Sequence, residues 1–172
     1  MKTGKSKLFR IYTIAILVVM VVVFGCLVSK KVVRSGSVTY NWNVNNANHF
    51  IQGLYPEGRV EWNKDILEVK HEPVYFELYA PAKFNRAEIT VDYLLSPGLT
   101  AQLGMKLGIT AWGFYMYDLP GTNGDWKQEI IEVDLGQSEL INNKLKFVIA
   151  APGIDEEVDK FLIKNIKAKL IK

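Results

Sequence analysis

From residue 38 onward the chain alternates apolar and polar residues. In VTYNWNV (38–44), Val38, Tyr40, Trp42 and Val44 alternate with Thr39, Asn41 and Asn43. A period of two puts the apolar set on one face of a strand. NNANHFIQGLYPEG (45–58) breaks the pattern with Asn, Gly and Pro and reads as a loop, with room for one helical turn. Alternation then resumes. Val74, Phe76, Leu78 and Ala80 oppose Tyr75, Glu77 and Tyr79, and Pro81 ends that strand. Ala87, Ile89, Val91 and Tyr93 alternate with Glu88, Thr90 and Asp92, and Leu103, Met105, Leu107 and Ile109 continue the series. IIEVDL (130–135), KLKFVIA (144–150) and KFLIKNIKAKLI (160–171) complete it. In the last segment the apolar positions change register near Asn165, which predicts a bend. With shorter candidates at 58–63, 65–70 and 112–117, about eight to ten strands are expected and no amphipathic helix.

Many short alternating strands divided by Gly, Pro and Asn turns predict an all-β domain over 38–172, an antiparallel two-sheet sandwich of jelly-roll type. VYFELYAPAKFNRAEITVDY (74–93), KLKFVIAAPG (144–153) and FLIKNIKAKL (161–170) resemble the strands of galactose-binding-like jelly rolls, the fold of many carbohydrate-binding modules. The resemblance implies that the final strand returns beside the first. Many such modules bind glycans without catalysis and hold a structural calcium, which no residue of this chain places, and function does not follow from the fold. The same fold hosts adhesion and assembly domains, so a structural or accessory subunit of an envelope complex is the alternative.

A different pattern precedes the domain. IYTIAILVVMVVVFGCLV (11–28) carries no charge over 18 residues, about 27 Å of helix, which predicts one transmembrane signal anchor before the sandwich. Residues 1–10 would be a basic cytoplasmic tail and 29–37 a linker, with the domain extracytoplasmic at a cell membrane. Cys26, the single cysteine, raises a second reading. Val23, Phe24, Gly25 and Cys26 partly resemble a lipobox, in which the cysteine is lipidated after cleavage. Bulky Phe24, and Leu27-Val28 running on to Lys30 and Lys31, favour an uncleaved span. One cysteine excludes an intrachain disulfide.

Charge is segregated along the chain. Residues 1–56 hold seven Lys or Arg and no acid, a charge of +7, and 57–172 hold 14 basic against 18 acidic residues, net −4. The overall charge of +3 therefore belongs to the anchor, and a domain of this sign repels phosphate backbones, which excludes nucleic acid as a partner.

Catalytic constellations are missing from the sequence. His49 and His71 lack the companions of a zinc or copper site and read as surface or turn residues, and no hydrolase or phosphate-loop motif occurs. Glu77, Glu88 and Asp92 lie on polar strand faces and suit solvated charges better than a glycosidase acid pair. In DLPGTNGDW (118–126), Asn123-Gly124 reads as a tight hairpin turn rather than a calcium loop. The candidate ligand site is aromatic. Tyr115, Tyr117 and Trp126, with Asp118 and Asp125 beside them, offer flat rings for the C–H faces of sugars and acceptors for their hydroxyls. Trp112, Phe114 and Met116 on the other strand face are expected in the core, and Tyr55 and Trp62 are weaker candidates. A run apolar on both faces also fits a central, doubly covered strand.

Overall fold

The computed structural model describes residues 12–25, 36–45, 50–108 and 113–172. The chain divides into two units, Met1–Arg34 and Ser35–Lys172. In the first, residues 12–25 are helical. Among the described residues no helix is long and apolar enough to cross a membrane, and the expected span of 11–28 extends beyond those residues at both ends. Its remaining positions, Cys26 included, lie outside the described residues, as do His49 and Trp112.

The second unit is the expected antiparallel sandwich. Its strands are β1 (Ser37–Asn43), β2 (Ile51–Tyr55), β3 (Val60–Asn63), β4 (Ile66–Val69), β5 (Val74–Tyr79) and β6 (Arg86–Leu95), followed by β7 (Ala101–Lys106), β8 (Phe114–Leu119), β9 (Lys127–Asp134), β10 (Leu140–Ile141), β11 (Lys144–Ala150) and β12 (Phe161–Ile171). One sheet, A, runs β3-β4-β12-β6-β9, with β1 also on β12; the other, B, runs β2-β5-β11-β7-β8, with β10 also on β11. First and last strands pair along their length, Ser37 opposite Ile171 and Asn43 opposite Asn165.

Alternation sets the core. Ala87, Ile89, Val91, Tyr93 and Leu95 of sheet A and Val74, Phe76, Leu78, Phe147 and Ile149 of sheet B are buried between the layers. Phe76 stacks on Phe147 with centroids 5.1 Å apart, joining β5 to β11. In β12 the buried positions shift from Phe161 and Ile163 to Ile166, Ala168 and Leu170. The register against β6 slips between Ile163 and Asn165, so the expected bend is a β-bulge that leaves Lys164 and Asn165 both off the core.

Three expectations fail for physical reasons. Strand β2 lies within the segment read as a loop: its buried residues, Ile51 and Leu54, are three apart because its register slips against β5. Strand β8 is an edge strand, not a doubly covered central one. Asn123 and Gly124 do form a tight turn, with φ of 52° and 88°, but it leads from β8 in one sheet to β9 in the other, so it closes no hairpin.

Candidate functional site

The outward face of sheet B is built by the complement of the core pattern. Val74, Phe76 and Leu78 point inward on β5, so Tyr75 and Glu77 point outward. Leu145, Phe147 and Ile149 do the same on β11 and turn Lys144, Lys146 and Val148 outward. Leu103 and Met105 on β7 leave Gln102, Gly104 and Lys106 on this face. Gly104 pairs with Met116 and Lys106 with Phe114, so β8 contributes Phe114, Met116 and Asp118.

Three rings cross this face. Tyr55 and Tyr75 are 5.7 Å apart between centroids, and Tyr75 and Phe114 are 6.2 Å apart. Strands β5 and β8 are separated by β11 and β7. At about 4.8 Å per strand step their backbones stand roughly 14 Å apart. Tyr75 and Phe114 therefore lean toward each other over a floor of Val148, Gly104 and Met116. That floor is closely packed: a Cβ on Gly104 would come within 2.4 Å of Met116 Sδ and 2.6 Å of Val148 Cγ1.

Polar groups edge the rings. The Lys146 ammonium lies 4.3 Å from the Tyr75 centroid and 5.6 Å from that of Tyr55. Tyr55 Oη donates to Glu77 Oε1 at 3.0 Å, and Lys144 Nζ donates to Glu77 Oε2 at 3.0 Å and to Gln52 Oε1 at 2.8 Å. Burial, and then the Glu77 carboxylate, push the Tyr55 phenol well above its usual range. For Glu77, burial acts upward but is outweighed by hydrogen bonds from Lys144 and Tyr55 and by the charges of Lys144 and Lys146, which hold its carboxyl below 4.5. Beside the rings is a cavity of about 260 Å³, lined in part by Glu77, Lys144, Lys146 and the Lys106–Glu139 ion pair. Flat rings flanked by fixed donors and acceptors can stack on a sugar ring and address its hydroxyls.

The five residues singled out from the sequence do not form one site, although Tyr115 and Tyr117 meet. Tyr115 and Tyr117, 4.9 Å apart, pair opposite the inward residues Met105 and Leu103 and line a small cavity near Asp134 at the sandwich edge. Tyr115 is 56% exposed. Asp118 lies on the outward face of sheet B and accepts a hydrogen bond from Gln102 at 2.8 Å. Asp125 closes the turn through its N–H to Thr122 O, and Trp126, 44% exposed, stands at the entry to β9 in sheet A. Phe114 and Met116, expected in the core, are half-buried on the outward face. Strand-face arithmetic paired them correctly but assigned the faces in reverse, because the edge strand β8 carries rings on both.

Tyr55 was a weaker sequence candidate; Tyr75 and Phe114 were missed as ligand residues. Their signal was present as aromatic residues in the outward half of an alternating pattern. Trp62 packs edge-on against buried Trp42. His71 lies 3.4 Å from Glu156. Glu77 is on one outer face, whereas Glu88, ion-paired to Lys169, and Asp92 are on the other, so Glu77 can form no acid pair with either. Among the described residues no group of three or more His, Cys, Asp or Glu could hold a metal.

No protein-family model matches the chain, and comparison with curated proteins finds no match. Solved structures do resemble it. The CBM22-1 xylan-binding domain of Paenibacillus barcinonensis Xyn10C superposes with a TM-score of 0.52 at 12% identity, over 77% of this chain and 94% of that domain. The CBM35 of Cellvibrio japonicus Abf62 gives 0.48 at 17% identity, over 76% and 92%. At 12% identity the likeness to the xylan-binding domain shows the fold alone, a β-sandwich like that of a carbohydrate-binding module, and leaves the ligand to be argued from the site.

Proposed function

We propose that this protein binds a saccharide chain without chemically altering it, on the outward face of sheet B, and that residues 11–28 tether the domain extracytoplasmically at a membrane. The observation that carries the binding reading is the row Tyr55, Tyr75 and Phe114, three rings on three strands bordered by Glu77, Lys144 and Lys146. The fold supports it, since it is shared with a domain described as xylan-binding.

The test is a polysaccharide array probed with the full chain in a non-glycosidic detergent, alongside Tyr75→Ala and Phe114→Ala. Each variant should bind about tenfold more weakly, as expected for removing a ring anchor. Unchanged binding by both variants would refute the site. Retention of no polysaccharide would turn the reading to an accessory subunit that docks through this face. The tether rests on the uncharged run of 18 residues. Mass spectrometry of the mature N-terminus should find the chain uncleaved, and a diacylglyceryl group on Cys26 would replace the helix with a lipid anchor.

A further inference from the structure

The outward face of sheet A carries a cleft of its own, of about 470 Å³, within the size range of small-molecule sites. Its floor is one cross-strand row of polar side chains. Asn43 on β1 stands opposite Asn165 on β12, Asn165 opposite Asp92 on β6, and Asp92 opposite Gln128 on β9. Trp126 and Lys164 also line the cleft, and none of these residues belongs to the ring-bearing face of sheet B.

The hydrogen bonds leave a specific deficit. Gln128 Nε2 donates to Asp92 Oδ1 at 2.6 Å, and Asn165 Nδ2 donates to Asp92 Oδ2 at 3.3 Å. The carboxylate can only accept, so it fixes the Asn165 amide with its nitrogen toward Asp92 and its oxygen elsewhere. That oxygen, Asn165 Oδ1, is buried with no partner, and so is Asn43 Oδ1 across the strand pair. Two adjacent buried acceptors without a protein donor are costly to fold and call for a donor from outside the chain. The bulge at Lys164, which brings two successive residues to this face, is a second departure from a regular sheet at the same place.

We propose that this cleft is a second saccharide site, in which one neutral sugar ring packs on Trp126 and its hydroxyls donate to Asn43 Oδ1 and Asn165 Oδ1 as these two cleft-lining side chains shift to uncover them. A hydroxyl suits the deficit because it donates to an amide oxygen and still accepts from the Lys164 ammonium at the rim. The half-exposed indole supplies the apolar wall that a sugar C–H face requires. The site is independent of the first, with which it shares no residue.

The experiment follows the side-chain amide resonances of Asn43 and Asn165 and the Trp126 indole N–H, in the full chain in detergent, during titration with xylohexaose and with cellohexaose. At least one sugar should shift all three saturably, and Tyr75→Ala should leave those shifts in place. Trp126→Ala should weaken the event about tenfold. Asn43→Ala should weaken it too without lowering the melting temperature, because it removes an acceptor that the free protein leaves unpaired. Resonances that stay still with both sugars, a Trp126→Ala variant of undiminished affinity, or a destabilised Asn43→Ala variant would each overturn the proposal.

Discussion

Glu77 shows how one side chain couples the stability of the ring-bearing face to its chemistry. It receives Tyr55 and Lys144 on its two oxygens, so the carboxylate fixes a ring and an ammonium at once. Its carboxyl is held below 4.5 in the folded protein. A depressed folded pKa contributes stability that is fully present above the ordinary value and is lost as pH falls through the folded one. Glu77→Gln should therefore be less stable than the parent at neutral pH, by about 1 kcal/mol for a partly exposed pair. That gap should narrow as pH falls below the ordinary carboxyl range and close once the parent's folded carboxyl protonates. Melting temperatures of the two proteins from pH 3 to 7 test this, and a gap that does not vary with pH would mean that Glu77 contributes packing and not charge.

At the scale of elements, the segment between β8 and β9 has to cross from one sheet to the other and deliver Trp126. Thr122 holds that crossing in place. Its buried Oγ1 accepts from Leu95 N–H at 2.8 Å and donates to Leu95 O at 2.9 Å. Gly124 N–H adds a bond to the same carbonyl, and Tyr93 Oη donates to Pro120 O at 2.7 Å. Thr122→Val keeps the volume but strands a buried N–H, a loss of about 1–3 kcal/mol, while Thr122→Ser should recover most of it. Thermal melts of the two variants decide; equal melts would show that shape and not the hydroxyl secures the crossing. None of this was legible in the sequence, where Thr122 is one polar residue in a polar turn. Strands of strict period two were legible because one face meets the core: β1, β5, β6 and β11 follow directly from alternation. So did the bend in β12, since a change of register is visible in the apolar positions themselves. Strand β2 was hidden by its slipped pairing, and β10 by having two residues. The site was less legible still, because alternation separates two faces of a strand without saying which is covered. On β8 that ambiguity exchanged Tyr115 and Tyr117 for Phe114.

On the scale of the whole domain, the two faces lie back to back, separated by a core about 10 Å thick between sheets. A short oligosaccharide cannot occupy both, but two polysaccharide chains can, one on each side. The segment 57–172 is net −4, so long-range attraction favours neutral over acidic chains, and binding through rings and amides should survive high salt. The protein should then cross-link a neutral polysaccharide such as arabinoxylan. Turbidity should rise, pass a maximum and fall as protein is added in excess, the signature of a bivalent bridge. Tyr75→Ala and Trp126→Ala, one on each face, should each retain binding in pull-down and lose the turbidity, and 1 M NaCl should leave the parent's curve in place. Turbidity from Trp126→Ala equal to that of the parent would reduce the domain to a single binding face. Loss of the signal in salt would point instead to the basic N-terminal segment, where all seven positive charges of residues 1–56 reside.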